Sequence, residues 1–304
     1  GIQIEASLVP QYKGETLLPE MVRYAGKLGF TLMSIEPGFH DPDTGQLLQA
    51  DLIFFRGSAA PKMKAKKFSN PALQFHSDKY LHHNRKRFEH LDSLNIDFSG
   101  KKVLEVGAGI GDQTDYLLAK GCSQVLVTEV RPENLAILRD KFAGEPRVQV
   151  NRLDMEAPEE IGEKFDICYC FGLLYHLANP EPALEFLSRH TEEMLLLETC
   201  VSYQHEDGIN LCNEDAGSFS QSVSGKGCRP GRKWIFAQLK KYFDFVYMPI
   251  TQPDHEQFPT DWTLPEYNLP YARAIFIASR KKLNNPLLIE DIPLRLTNLK
   301  EFKK

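Results

Sequence analysis

The sequence has little of what would mark a membrane protein, a disulfide-rich protein or a general nucleic-acid binder. Its 304 residues include only six cysteines and two tryptophans, and no apolar run approaches the length of a membrane span. The net charge is −5, whereas nucleic-acid-binding surfaces generally show a basic excess. These absences predict a cytoplasmic protein without a membrane segment, and they argue against nucleic acid as a partner.

The cysteines are dispersed rather than clustered. Cys168 and Cys170 are two residues apart in an apolar run, a spacing that fits neither a zinc site nor a disulfide framework. We therefore expect buried free thiols in a reducing compartment and no metal site. The full set is Cys122, Cys168, Cys170, Cys200, Cys212 and Cys228.

The first 57 residues form a segment of their own. Strand-like runs at 2–8, 31–35 and 47–55 and a helical run at 16–28 give the order β-α-β-β. The first residue is Gly1 rather than methionine, so we expect the chain to be a fragment or a processed form.

Residues 58–100 read as a linker followed by a helical cap, with the helix predicted from Ser77 to Asp92. Residues 101–280 alternate strands and helices, which predicts an α/β domain with a mainly parallel sheet covered by helices on both faces. Residues 281–304 are a peripheral tail. The linker is rich in lysine, at Lys62, Lys64, Lys66 and Lys67. The seven predicted strands of the domain are 102–106, 124–129, 148–153, 165–171, 194–198, 245–247 and 272–279.

The clearest local motif is a strand that runs into a glycine-rich turn and then a helix. Glycines at such a turn let the backbone approach a ligand closely. Nicotinamide and flavin enzymes use similar turns, so the glycines alone do not identify the cofactor. The motif reads Val103-Leu104-Glu105-Val106-Gly107-Ala108-Gly109-Ile110-Gly111.

Acidic residues near the strand ends favour S-adenosylmethionine as the cofactor. Glu105, two residues before Gly107, would crowd a pyrophosphate but can attract the cationic end of S-adenosylmethionine. Glu129 ends the next strand, where a carboxylate can accept both ribose hydroxyls, and Asp154 follows the third strand, near the adenine. Phe171 ends the fourth strand, near the expected methyl group. We also expect Val130 and Met155, beside these acids, to contact the cofactor.

This layout resembles the class I S-adenosylmethionine-dependent methyltransferases over about 75–280. The resemblance implies a Rossmann-like fold with a seven-stranded sheet. Within the class, three stretches are similar to enzymes that modify the wobble uridine of transfer RNA: Leu173-Leu174-Tyr175-His176, Asn179-Pro180 and Leu197-Glu198-Thr199.

The first segment carries a second resemblance, to the closing part of FkbM-type methyltransferases, which act mostly on hydroxyls of sugars and natural products. It rests on Ile4-Glu5-Ala6-Ser7-Leu8, Gly29-Phe30, Thr44-Gly45-Gln46 and Asp51-Leu52-Ile53-Phe54. The cofactor half of such a domain is missing. Residues 1–57 are therefore expected to be the remnant of an upstream methyltransferase in a tandem protein.

A long irregular insert between Glu198 and Arg232 is the candidate acceptor site, because long loops without secondary structure are often functional. Its cations Lys226, Arg229 and Arg232, together with Tyr175, are predicted to bind a small polar or anionic acceptor. A second loop is a candidate for the opposite wall and carries Gln252, Asp254, His255, Asp261 and Trp262.

Methyl transfer to a hydroxyl benefits from a base, and an imidazole can serve at neutral pH. His176 follows the fourth strand and is the first candidate, although it can equally cap the next helix; His205 is the reserve. The leading hypothesis is O-methylation of a sugar or natural product. The alternatives are modification of a transfer-RNA uridine and a non-catalytic partner that only binds the cofactor.

Overall fold

A computed structural model gives the structure of the chain and describes residues 1–10, 12–56, 68–203, 205–263 and 272–302. The chain forms two compact units, Gly1–Lys67 and Phe68–Lys304. The lysines predicted to form a basic linker lie outside the described residues.

The first unit is a three-stranded antiparallel sheet with one helix, in the predicted β-α-β-β order. The last strand of the unit, β3, lies between the other two, so the strand order is β1-β3-β2. Alternate residues of the central strand, among them Leu52 and Phe54, pack with Ala25 of the helix in a small core. The elements are β1 (Ile2–Ser7), α1 (Leu18–Lys27), β2 (Thr31–Pro37) and β3 (Gln49–Phe55).

The second unit is built on one large sheet, and the predicted α/β class is confirmed. The strand order is β14-β11-β13-β8-β7-β4-β5-β6. The five strands from β6 to β8 are parallel, and only β13 and the two-residue β14 run against the others. Seven of these strands were predicted, and β14 is the eighth. They are β4 (Lys102–Val106), β5 (Gln124–Glu129), β6 (Val148–Arg152), β7 (Phe165–Phe171), β8 (Thr191–Cys200), β11 (Phe245–Pro249), β13 (Arg273–Ser279) and β14 (Leu288–Ile289).

Helices cover both faces of this sheet because its strands are apolar on both sides. Leu104 faces a core shared with Leu187 and Ile235 of two helices, whereas its neighbour Val103 faces a second core with Leu91 and Leu117. The helices are α2 (Pro71–Phe75), α3 (Asp78–Ser93), α4 (Asp112–Ala119), α5 (Pro132–Lys141), α6 (Glu181–His190), α7 (Arg232–Lys240) and α8 (Leu299–Phe302), and a short 3-10 turn spans Leu174–His176.

The long insert after β8 has more structure than its sequence predicts. It contains an antiparallel pair of short strands, β9 (Leu211–Asn213) and β10 (Lys226–Cys228). The tail returns to the body of the unit, where β15 (Thr297–Asn298) pairs with β12 (Thr251–Gln252). All six cysteines are free thiols. Within the described residues, no helix combines the length and apolar character needed to cross a membrane.

Candidate active site

The glycine turn between β4 and α4 forms the floor of a cavity of about 250 Å³ at the carboxyl ends of the parallel strands. Gly107 and Gly109 have φ angles of +69° and +60°, a region that other residues rarely adopt. A Cβ at Gly109 would also lie 2.8 Å from the ring of Phe75. The turn therefore requires glycine at both positions. We call this space the first cavity.

Glu129, at the end of β5, organises the wall beside the turn. Its Oε2 accepts the backbone N–H of Gly109 at 2.9 Å, and its Oε1 accepts those of Val130 and Arg131 at 2.8 and 2.9 Å. Burial raises the pKa of this carboxyl, and the backbone donors oppose the rise. The carboxylate lines the first cavity; of its roughly four lone-pair sites, these bonds leave one, on Oε2, for a further donor such as a ribose hydroxyl.

Another side of the first cavity is lined by apolar residues and by the insert. Leu153, Met155 and Leu177 line it together with the carboxylates of Asp154 and Glu156. The insert contributes the stretch 219–224. Its backbone carbonyls accept hydrogen bonds from Arg131, including one to Gln221 at 2.7 Å.

A second cavity of about 430 Å³ adjoins the first and shares four lining residues with it, namely Tyr80, His176, Ser220 and Gln221. Its other walls come from α2, α3, the insert, the loop after β12 and the start of β13. Polar and aromatic side chains dominate among them. They include Gln74, Ser77, Lys79, His83, Tyr175, Glu214, Arg229, His255, Gln257 and Arg273.

His176 lies where the two cavities meet, and its Nδ1 is 2.5 Å from Oε2 of Glu214. Burial lowers the pKa of His176, and the hydrogen bond to Glu214 opposes the fall. Burial would raise the pKa of Glu214, but the bonds from His176 and the N–H of Ser222 lower it on balance. The neutral imidazole with Nδ1–H on Glu214 leaves Nε2 free to accept a proton.

The insert reaches His176 because glycine permits a close approach. A Cβ at Gly227 would lie 2.6 Å from the carbonyl oxygen of Tyr175 and 2.8 Å from Oε1 of Glu214. Arg229 also donates to Glu214, at 3.3 Å. The β9–β10 pair is thereby held against the turn that carries His176.

Part of the chain matches a known protein family. The family described as "Methyltransferase domain" matches residues 104–193, which contain the glycine turn, Glu129 and Asp154. The chain carries a methyltransferase domain. S-adenosylmethionine is its cofactor.

The curated relatives of this methyltransferase are distant. A protein of Methanococcoides burtonii named "Probable ribosomal RNA small subunit methyltransferase A" is 25% identical over 235 residues, which cover 70% of this chain and 77% of that protein. A relative of the same name from Methanosarcina barkeri is 24% identical over 207 residues, or 66% of this chain and 67% of that protein.

Comparison with solved structures finds methyltransferases at lower identity. The N-terminal domain of EvdMO1, crystallised in the presence of SAH and D-fucose, is 18% identical with a TM-score of 0.49, covering 89% of this chain and all of that one. An S-adenosylmethionine-dependent methyltransferase from Mesorhizobium loti is 14% identical with a TM-score of 0.47, covering 64% and 98%. The resemblances of residues 1–57 to FkbM-type enzymes and of the fourth-strand region to wobble-uridine enzymes stay predictions.

The methyltransferase domain brings most of the predicted cofactor residues to its cavities. Six of them line the first cavity: Gly107, Gly109, Glu129, Val130, Asp154 and Met155. Ala108 and Phe171 line a small recess on the other side of the glycine turn, with Gln113 and Asn84. Gly111 lies behind the turn, packed on Leu138 and Phe142, and lines neither.

Glu105 does not face the first cavity, contrary to the expectation that it attracts the sulfonium. The alternation of β4 turns its side chain under α4, where Oε2 accepts the hydroxyl of Thr114 at 2.6 Å. Its Oε1 is buried with no partner among the described residues. Burial raises the pKa of Glu105 to about 8, so the group is largely protonated and uncharged at neutral pH.

The state of Glu105 leads to a prediction about stability. Because the pKa of Glu105 is higher in the folded state than in the unfolded chain, the folded state binds this proton more tightly. The stability that results is fully present below the unfolded pKa and is lost as pH rises towards about 8. Glu105→Gln keeps the shape without the charge. We expect it to unfold like the wild type near pH ~4.5 and to be more stable by roughly 2–4 kcal/mol near pH ~8.5.

Thermal unfolding without cofactor, measured across that pH range, checks this expectation. Glu133→Gln is the matched control because Glu133 is exposed on α5. Equal pH dependence of wild type and Glu105→Gln would show that Glu105 does not titrate abnormally.

Three predicted acceptor-side residues lie elsewhere. Arg232 is buried at the start of α7, where it pairs with Glu206 at 2.9 Å and lies 3.7 Å above the ring of Trp262, so its role is structural. Lys226 is exposed and donates to Asn213. His205 is exposed; its backbone N–H donates to the hydroxyl of Ser202 at 3.1 Å, and its carbonyl accepts from the side chain of Asn210 at 3.0 Å. None of the three lines either cavity.

Arg229, Tyr175 and His176 do line the second cavity, and His255 of the second loop lines it as well. His83, Glu214, Gln257 and Arg273 also line the second cavity and were not predicted as site residues from the sequence. Glu214 stands in the insert among other acids, and nothing in its local pattern distinguishes it from them. Within the described ranges, no group of three or more His, Cys, Asp or Glu side chains is placed to hold a metal ion.

Proposed function

We propose that the methyltransferase domain methylates a hydroxyl of a small polar acceptor, of the kind found in sugars and natural products, bound in the second cavity. The observation that carries this proposal is the His176–Glu214 pair at the junction of the two cavities. A hydroxyl is a weak nucleophile until it loses its proton, so an oxygen acceptor needs a base at this junction.

In this proposal, different residues bind the cofactor, accept the proton and align the acceptor. Glu129 and Asp154 hold the nucleoside part of S-adenosylmethionine. When bound, the cofactor supplies a methyl group on a positively charged sulfur, which is reactive without further activation. Glu214 keeps Nδ1 of His176 protonated, so that Nε2 takes the proton of the acceptor hydroxyl. The walls of the second cavity hold that hydroxyl in place, and such alignment contributes much of the rate.

The second cavity favours a small acceptor over RNA. It is a pocket of about 430 Å³ lined in part by α2, α3 and the insert, and the net charge of −5 provides no general attraction for a phosphate backbone. The names of the curated relatives favour ribosomal RNA as the second candidate. The third is a partner that binds the cofactor without catalysis.

A labelled-methyl transfer assay separates these functions. The protein is incubated with S-adenosylmethionine carrying ¹³C in its methyl group and with a panel of sugars, nucleotide sugars, hydroxy acids and polyketide-like alcohols; ribosomal and transfer RNA are tested in parallel. We expect a new O-methyl carbon signal on a small acceptor. Label on RNA supports the second candidate, and binding of cofactor without transfer to any class supports the third.

A further inference from the structure

Arg273, which lines the second cavity, shares a single carboxylate with a second arginine, Arg87. Arg87 donates to Oε2 of Glu198 at 2.6 Å, and Arg273 donates to its Oε1 at 2.8 Å. All three side chains are buried, with exposed fractions of 2%, 9% and 0%. Two positive charges and one negative charge leave an excess of one positive charge. A buried charge without a counterion is costly.

The other charges of the second cavity do not remove this excess. Glu214 is already paired with Arg229 at 3.3 Å. The pKa of His83 is lowered by burial and by the neighbouring arginines, and burial also lowers that of His255, so both imidazoles are neutral. Lys79, at the exposed edge of the cavity, adds positive charge rather than balancing it.

Arg273 and His83, which both line the second cavity, have hydrogen-bond donors that no described residue accepts from. The guanidinium of Arg273 carries five N–H groups, and its bonds to Gln257, Glu198 and the hydroxyl of Tyr175 use three of them. The remaining two are on the terminal nitrogens. Among the described residues, His83 has no partner for its buried Nε2.

The protonation of His83 follows from its neighbours. The backbone N–H of Gln257 donates to Nδ1 of His255 at 3.1 Å, so the proton of the neutral His255 is on Nε2. That Nε2 lies 3.4 Å from Nδ1 of His83, which is therefore the acceptor. The proton of His83 is consequently on Nε2, and this nitrogen is a donor without an acceptor.

We propose that the second cavity binds a carboxylate of the acceptor against Arg273 and His83, so that the acceptor is a hydroxy acid, for example a sugar acid. The carboxylate provides the missing negative charge and accepts from the spare donors. A single carboxylate matches the excess of one charge, whereas a phosphate monoester carries about −1.5 to −2. That the acceptor also presents a hydroxyl to His176 rests on the proposed function.

Tyr175 contacts both His176 and Arg273, so one acceptor lying along its ring can reach both residues. Its ring centroid is 3.9 Å from that of His176, and its hydroxyl is 3.0 Å from Nη2 of Arg273. A compact hydroxy acid placed along this ring has its hydroxyl at the His176 end and its carboxylate at the Arg273 end.

Binding of a fluorinated probe pair tests the carboxylate site without knowledge of the acceptor. The protein saturated with S-adenosylhomocysteine is titrated with trifluoroacetate or trifluoroethanol and followed by ¹⁹F NMR. The two probes have similar size but differ in charge. We expect saturable binding of trifluoroacetate and at least about tenfold weaker binding of trifluoroethanol, as for the loss of a charge-assisted contact.

Variants locate the site. His83→Phe keeps a ring where His83 stacks on Phe258 but removes the spare donor, and we expect about tenfold weaker trifluoroacetate binding. Arg273→Lys is the second variant and is expected to weaken binding at least as much. His40→Phe, at an exposed position of the first unit, is the control. Unchanged affinity for S-adenosylhomocysteine shows that each variant is folded.

The proposal is overturned if trifluoroacetate does not bind, if trifluoroethanol binds equally well, or if folded His83→Phe and Arg273→Lys proteins both bind trifluoroacetate like the wild type. The ¹³C transfer assay tests the proposed function separately. Transfer to the hydroxyl of a neutral sugar in preference to its acid would overturn only the carboxylate proposal, whereas label on nitrogen or carbon would overturn only O-methylation.

Discussion

Replacement of His176 by alanine is expected to lower kcat by about 100- to 10,000-fold, the usual contribution of a general base. The affinity for S-adenosylmethionine should change little, because we propose that Glu129 and the glycine turn, rather than His176, hold the nucleoside. The measurement is the initial rate of methyl transfer at saturating cofactor with the acceptor found in the labelled-methyl screen. His40→Ala, an exposed histidine of the first unit, is the control.

The pH profile distinguishes a base from a structural histidine. Burial lowers the pKa of His176, so the wild-type rate should fall on the acid side at a pH below the usual value of about 6.5. Glu214 raises that pKa through its hydrogen bond. Glu214→Gln should therefore move the acid limb to still lower pH and reduce the rate, because the imidazole loses its orientation. Turnover of His176→Ala within about threefold of the wild type would show that His176 only caps the 3-10 turn.

Glu129→Ala is expected to weaken S-adenosylhomocysteine binding by about 1.5–3 kcal/mol, or roughly 10- to 150-fold. The variant removes the proposed acceptor for the ribose, and it also removes the acceptor of three backbone N–H groups around the glycine turn. Calorimetric titration gives the dissociation constant directly.

Glu133→Ala, on the exposed side of α5, is the matched control and should bind like the wild type. Asp154→Asn should lose less than Glu129→Ala, because Asp154 is only half-buried where it lines the first cavity. If Glu129→Ala binds S-adenosylhomocysteine with wild-type affinity, Glu129 does not bind the ribose in the first cavity.

The parts of the fold that follow local rules could be predicted. The apolar run of β4, the glycines after it and Pro132 at the start of α5 are short-range signals, and the elements lie within a few residues of their predicted bounds. The β9–β10 pair could not be predicted in the same way. Its strands have three residues each, and its pairing depends on contacts between the insert and the turn at His176.

The residues of the first cavity could be predicted from the sequence better than those of the second. The predicted cofactor residues follow the carboxyl ends of neighbouring parallel strands, so the topology alone brings them together. His83 and Arg273 line one cavity because α3 packs on the sheet and β13 pairs with β8, and no local sequence pattern predicts such long-range packing. Arg232 does not line the acceptor cavity as expected, because it is buried at the start of α7 over the ring of Trp262.

The central claim is that the first cavity is an S-adenosylmethionine site built on the glycine turn and Glu129. Calorimetric titration of the wild-type protein with S-adenosylhomocysteine and, in parallel, with NADH tests it most directly, because both cofactors use glycine turns of this kind. We predict one bound S-adenosylhomocysteine per chain and no measurable binding of NADH. Binding of NADH without binding of S-adenosylhomocysteine would contradict the account.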